Sequence, residues 1–248
     1  MILGLNWKKA HPMSLTKSPK RHRYPVSIIS EAVWLYHRFN TSLRDVKEQL
    51  AYRGIEVSHE TIRYWNIKFA SHFKDTLKKR ERSPSDTWHL DEMIVKVNGS
   101  PFVLWRAVDF HGFELDVLLQ KRRDKKSAIP FLGRLLKSYP SPRVMVTDKL
   151  RSYVKPVRVL CPKADHRAHK GLNNRVENAH QPTRRKEKCL IRFKSPQGVQ
   201  RTVSLMGKVR NIFALEVGRY AHPASHRRDA FKRACLIWNH AAQSLLSA

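Results

Sequence analysis

The sequence predicts an α/β protein, a mixed β-sheet flanked by helices and preceded by an all-α helix-turn-helix domain. Three observations predict it. From 27 to 73 the apolar residues recur at helical spacing. From 88 to 120 three β-branched and aromatic runs follow one another across two short turns, Asn98-Gly99 and His111-Gly112, as antiparallel neighbours do. Beyond 120, helical and strand-like segments alternate, giving the order β-β-β-α-β-α-β-α of a mixed sheet with helices packed on it.

Residues 1–24 are basic and polar, with Pro12 and Pro19, and read as a flexible extension within which Met13 is an alternative start. Residues 25–75 form the helical domain. Ile28, Ile29, Ala32, Val33, Leu35 and Tyr36 mark a first helix. Ser42 caps a second, with Asp45 in its first turn, Leu43, Val46 and Leu50 on one face, and Gly54 at its end. Ser58 opens a third, whose apolar face is Ile62, Trp65 and Phe69. A short helix, a turn and a second helix with polar groups at its start make a helix-turn-helix. His59, Glu60, Arg63 and Tyr64 then face the major groove; an ordinary helical hairpin is the plainer alternative. Residues 76–86, with Pro84, form a linker.

The sheet domain spans 87–195. Its first three strands are 88–97, 102–109 and 113–120, with Trp88 and Trp105 in the core. A helix follows with Ile129, Leu132, Leu135 and Leu136 inward, and Pro130 near its start or kinking it. Val144 to Thr147 is a short buried strand. The piece 150–160 is helical or irregular, and 165–169 is a further strand. From Asn174 the chain is helical, interrupted near Pro182, Pro196 and Pro223, and 196–248 forms a C-terminal helical region.

Charge narrows the function. Of the 248 residues 41% are hydrophobic, enough for a real core, and 49 Lys and Arg against 20 Asp and Glu leave a formal charge of +29. Solubility needs far less, so the partner is a polyanion, and nucleic acid fits best. Cys161, Cys189 and Cys235 match neither zinc spacing nor a disulfide framework. No secretory signal opens the chain and no apolar run has the length of a membrane span. The protein is expected inside the cell, away from membranes.

Asp148 closes the strand 144–147, where open α/β sheets place their chemistry. Asp91 lies on another strand, in WHLDEMIVKV, and Glu177 sits just inside the helix that starts near Asn173-Asn174, with 28 residues between Asp148 and Glu177. Two strand aspartates and a helix glutamate suit divalent metals in phosphodiester chemistry. Each has a plainer reading. Asp91 adjoins Glu92, so either can be a surface acid; Asp148 can cap the next turn; Asn174 and Glu177 form a capping-box pattern. Lys149, Arg151, Arg175, Arg184 and Arg185 can hold phosphates, although RRKEK at 184–188 is equally a solvated face. His166, His169 and His180 match no zinc spacing and are left to touch DNA or orient a carboxylate.

The pieces SLRDVKEQLAYRGIEVSHETIRYW, WHLDEMIVKVNG, FVLWRAVDFHG, LLQKRRDKKSA, VTDKLRSY, HRAHKGLNNRVENAHQPTRRKEK and IRFKS, in this order, carry a resemblance over 24–195, weaker to Trp238. The chain resembles the DDE transposases of the IS6 (IS26/IS240-like) insertion-sequence family. The resemblance implies an RNase H-like catalytic core whose acids are Asp91, Asp148 and Glu177, holding Mg²⁺ or alternatively Mn²⁺. It implies binding to the element's terminal inverted repeats, metal-dependent donor strand cleavage and strand transfer to target duplex DNA. Asn174, Arg175, His180 and Arg184 fall in the family's signature and take positioning and phosphate contact. A homodimer or larger assembly in a prokaryotic cytoplasm, at the nucleoid, is implied because two ends must be joined. The segment between Asp148 and Glu177 is shorter than in better-known members, which points to a trimmed loop between 153 and 165. The rivals are a catalytically inactive, sequence-specific DNA-binding protein derived from a transposase, and an integrase or nuclease of the same fold.

Overall fold

The computed structural model describes residues 16–148, 151–168, 174–218 and 220–247. Residues 1–15 with Met13, and Lys149, His169 and Asn173, lie outside the described residues, as do the side chains of Arg151, Asn174 and Arg175. The chain divides into two compact units. One takes the described residues up to Arg80 together with those from Pro223 onward; the other is Glu81–His222.

In the first unit, α1 (Val26–Arg38), α2 (Leu43–Tyr52) and α3 (His59–Lys78) follow from their caps and stripes. Ser42 Oγ accepts from the Asp45 amide at 3.2 Å, and Asp45 Oδ2 accepts from the Ser42 amide at 2.8 Å. This reciprocal box satisfies two donors that every helix start leaves open. Gly54, at φ +76°, takes the left-handed turn after α2. Ser58 Oγ accepts from the Thr61 amide at 3.1 Å and starts α3, whose Ile62, Trp65, Phe69, Phe73 and Leu77 are buried along one stripe. The Ser42→Ala protein is expected to lose about 1 kcal/mol of stability, read as a lower urea midpoint at unchanged slope; no change would mean that water replaces the cap without cost.

The observed division differs from the expected one in two respects. α3 continues to Lys78, so the boundary at 75 falls inside a helix. The region 196–248 also parts in two. α8 (Ala224–Gln243) belongs to the first unit, where Trp238 stacks on Phe73 with ring centroids 4.5 Å apart. α7 (Pro196–Phe213) belongs to the second, because its Val199 and Val203 pack against the sheet.

The second unit is a five-stranded sheet made of β1 (Thr87–Val97), β2 (Ser100–Asp109), β3 (Glu114–Gln120), β4 (Val144–Thr147) and β5 (Asp165–Ala168), in the order β3-β2-β1-β4-β5. β1, β2 and β3 are antiparallel neighbours, and β4 and β5 run parallel to β1. Asn98 and Gly99 both have positive φ, 46° and 83°, which suits the two-residue turn between Val97 and Ser100. Asp109 Oδ1 accepts from the amides of His111 (2.9 Å) and Phe113 (3.0 Å) and folds the second turn.

Strand alternation separates two cores. Trp88, Leu90, Trp105 and Ala107 face Phe131, Leu132 and Leu135 of α4 (Lys125–Ser138) and Tyr153 and Val157 of α5 (Arg151–Leu160). Met93, Val95, Val97 and Leu104 face α7 and Phe193. Ile129 is not inward as expected but 48% exposed, because the buried stripe of α4 runs through Ala128, Phe131, Leu132 and Leu135. Pro182 does not interrupt α6 (Asn174–Cys189). A proline removes one backbone bond and crowds the turn before it, and here Val176, Ala179, Thr183 and Lys186, all buried, hold the helix on both sides. Pro196 does sit at the first turn of α7 and Pro223 at the N-cap of α8. No helix among the described residues is long and apolar enough to cross a membrane.

Candidate active site

The site starts from a register. β1 and β4 pair in parallel, with Leu90 opposite Thr147 as the last pair. The next residue on each strand is Asp91 and Asp148. In-register residues of parallel strands point to the same side, so the two carboxylates come out side by side. β4 ends there while β1 continues, which leaves an open notch beside β1. Glu92 starts on the opposite face, the face of Trp88 and Leu90, and its longer side chain reaches the same notch. Asp91, Glu92 and Asp148 each offer an oxygen within 4.8 Å of the others. Oxygens around an octahedral Mg²⁺ lie roughly 2.9 Å apart when adjacent and roughly 4.2 Å apart when opposite, from metal–oxygen distances near 2.1 Å. Small side-chain rotations therefore bring these three into range of a hard divalent ion, and the donor set fits one.

Burial grades the three acids. The Glu92 side chain is 2% exposed, Asp91 19% and Asp148 28%. Burial pushes the Glu92 carboxyl up to about 7; the Arg123 guanidinium opposes the shift, and Asp148 and Asp91 add to it. Arg123 stands on the short loop before α4, donates from Nε to Glu92 Oε1 at 2.6 Å and brings Nη2 to 3.8 Å from Asp148 Oδ2.

Asp91 is held from its other side. His180 Nε2 lies 3.2 Å from Asp91 Oδ2, and His180 Nδ1 lies 3.0 Å from Arg106 Nη1. A guanidinium only donates, so Nδ1 accepts and Nε2 carries the proton that it donates to Asp91. Burial lowers the His180 pKa, which favours this neutral form. Arg106 is the cross-strand partner of Asp91 on β2. It also donates to Thr183 Oγ1 (2.7 Å) and to the Ala179 carbonyl, and pairs with Glu114 at 3.0 Å. One buried arginine thus fastens α6 to the sheet and fixes the ring that orients Asp91. Glu114 is pushed up by burial and down by Arg106 and Lys208. Its carboxylate occupies the space beside Gly207 of α7, where an added Cβ would collide with Oε1. Any side chain there would displace the acid.

The other expected residues are placed as follows. Glu177 is exposed on α6, three residues before His180, and its carboxylate is not among the three that converge. Residues three apart on a helix are neighbours, roughly 5–6 Å between Cβ atoms, so Glu177 sits one turn from the ring that touches Asp91. Arg184 and Arg185 are exposed on the same helix, Arg184 pairing with Glu187 at 3.2 Å, while Lys186 is buried. His166 Nε2 lies 2.9 Å from the Thr147 hydroxyl, which donates to the Asp148 carbonyl. In the first unit, Glu60, Arg63 and Tyr64 are exposed and His59 half-buried, opposite the buried stripe of α3. Glu60 pairs with both His59 (3.1 Å) and Arg63 (3.4 Å), and Lys68 lies over the Tyr64 ring.

Sequence reasoning missed four groups. A charge inside FVLWRAV, a run otherwise apolar, signals that Arg106 is buried and paired. Glu92 shares strand parity with Trp88 and Leu90, which signals an inward acid. Arg123 and Glu114 carry no such local signal, because only the tertiary fold brings them to their partners.

The family model that matches is the DDE domain of IS240-type transposases, over residues 85–216. The transposase for the insertion sequence-like element IS431mec of Staphylococcus aureus is 35% identical over 158 residues, covering 62% of this chain and 70% of that protein. The transposase for insertion sequence element IS257 in transposon Tn4003, also of Staphylococcus aureus, matches to the same extent. Among solved structures, the simian T-cell lymphotropic virus intasome in complex with PP2A regulatory subunit B56 gamma has a looser likeness, with a TM-score of 0.44 and 16% identity over 61% of this chain and 55% of that one.

Proposed function

Because the chain belongs to the IS6/IS240 family of DDE transposases, we propose that it binds the terminal inverted repeats of its own element, cuts the donor strand there and joins the freed 3′ end to target DNA. The observation that carries the reading is the Leu90–Thr147 register, which puts Asp91 and Asp148 side by side at the end of β4. Asp91, Asp148 and Glu177 would hold Mg²⁺, with Mn²⁺ as a substitute, and that ion when bound activates the attacking oxygen and stabilises the leaving one.

The chain's own residues do the rest. His180, locked by Arg106, keeps the Asp91 carboxylate turned into the notch. Glu177, exposed on α6 and outside the converged cluster, would join it from that helix, which the same arginine fastens to the sheet. Lys149, Arg151, Asn174, Arg175, Arg184 and Arg185 bracket the site in sequence and hold the phosphates of the end and the target. His59, Glu60, Arg63 and Tyr64 on α3 read the repeat. Two ends must be joined, so the working form is a homodimer or larger assembly on duplex DNA.

The test is strand joining in vitro, with purified protein, labelled duplex carrying the element's ends, and target duplex, in Mg²⁺, in Mn²⁺ or in a chelator. Joined product is expected with either metal and none with the chelator. Binding of ends without joining under both metals would sink the enzymatic reading in favour of a DNA-binding protein derived from a transposase. Cleavage without joining would point to a nuclease of the same fold.

A further inference from the structure

Three carboxylates in one notch repel one another unless a cation stands among them. Glu92 is 2% exposed, and its Oε2 is buried. Its other oxygen, Oε1, accepts from Arg123 Nε at 2.6 Å, and Nη2 of the same guanidinium reaches to 3.8 Å from Asp148 Oδ2. Arg123 therefore spans one acid of the expected metal set and one buried acid outside it. It comes from a loop of four residues, between Gln120 and Lys125, and is 47% exposed. Arginine stays charged at any working pH and presents a rigid fork of donors, so it can bridge two carboxylates at once. A half-exposed side chain on a short loop can swing away without disturbing the core.

We propose that Arg123, seated on the buried Glu92, is the built-in counter-cation of the acidic notch, holding Asp148 in the metal-free protein and giving way when a divalent ion enters. The inference rests on the metal-dependent reading above. Glu92 then has a role distinct from the expected acids, as the anchor that keeps the guanidinium at the mouth of the site. Metal and guanidinium compete for Asp148, so the metal affinity of the site is set lower than three carboxylates alone would give.

The test is Mn²⁺ binding to the full chain without DNA, followed by loss of the free-ion paramagnetic resonance signal. In the Arg123→Gln protein the Mn²⁺ dissociation constant is expected to fall on the order of tenfold, the effect of removing one partly screened unit charge about 4 Å from a ligand oxygen. Arg123→Lys keeps the charge without the bridging fork, and its dissociation constant is expected to fall between those of wild type and Arg123→Gln. Arg122→Gln removes the same charge from the neighbouring exposed position, and its affinity is expected to change by less than about twofold because solvent screens it. Asp148→Asn is expected to lose the site in either background.

Equal affinities in wild type and Arg123→Gln would overturn the proposal while leaving the metal-dependent reading in place. An equal gain from Arg122→Gln would overturn it too, since general charge would then be the cause. Absence of Mn²⁺ binding in all the proteins would remove both. Binding in Arg123→Gln alone would support the proposal in its strongest form.

Discussion

The Asp148→Asn protein is expected to join ends to target at least ~10³-fold more slowly than wild type, a loss of roughly 4 kcal/mol of transition-state stabilisation. Asparagine keeps the shape of the side chain and removes the charge. Asp148 sits at the end of β4 with 28% of its side chain exposed, so no packing is lost. The thermal midpoint is expected to hold or rise slightly, because one of three crowded carboxylates has gone. The measurement is the rate of joined product in Mg²⁺, read beside a melting curve of the same preparation. A normal rate with a normal melt would mean that the reacting site lies elsewhere. A low rate with a collapsed melt would mean that Asp148 is structural.

The second large effect belongs to a residue that touches no substrate. Arg106→Met is expected to destabilise the catalytic unit by about 3–5 kcal/mol, the cost of breaking a buried ion pair from one side. Methionine fills much of the volume, so the loss is electrostatic. Glu114 stays buried without its partner, the Thr183 hydroxyl and the Ala179 carbonyl lose a donor, and His180 loses the contact that sets its tautomer. Urea unfolding measures the loss, and the double variant Arg106→Met with Glu114→Gln is expected to recover part of it, since the stranded charge is removed. A single variant as stable as wild type would show that Lys208 and its neighbours compensate Glu114 unaided.

Much of this architecture was legible in the sequence. VMVT at 144–147 is the β4 strand residue for residue, because four β-branched or apolar side chains in a row suit a strand covered on both faces. Ser42, Gly54 and Ser58 named the ends of their helices because capping is local chemistry. Asp91 and Asp148 were legible as strand acids, but their adjacency needed the parallel register. Pro182 misled because local propensity was outweighed by a buried stripe. The split of the C-terminal region was hidden for a similar reason. Nothing in the sequence of α8 says that Trp238 stacks on Phe73 and not on the sheet. Glu177 was legible as a helix-start acid, and the structure sets it one turn from His180 without bringing its carboxylate into the cluster.

The return of α8 to the first unit has a consequence for biosynthesis. The segment Glu81–His222 is inserted between the two parts of the helical unit. A ribosome therefore makes α1, α2 and α3 first, then the whole catalytic sheet, and only afterwards the helix that covers Phe73. The sheet unit can complete itself while translation continues, whereas the helical unit waits with an apolar face uncovered. Premature termination just before α8, after His222, would release a protein with a finished sheet unit and an unfinished helical unit.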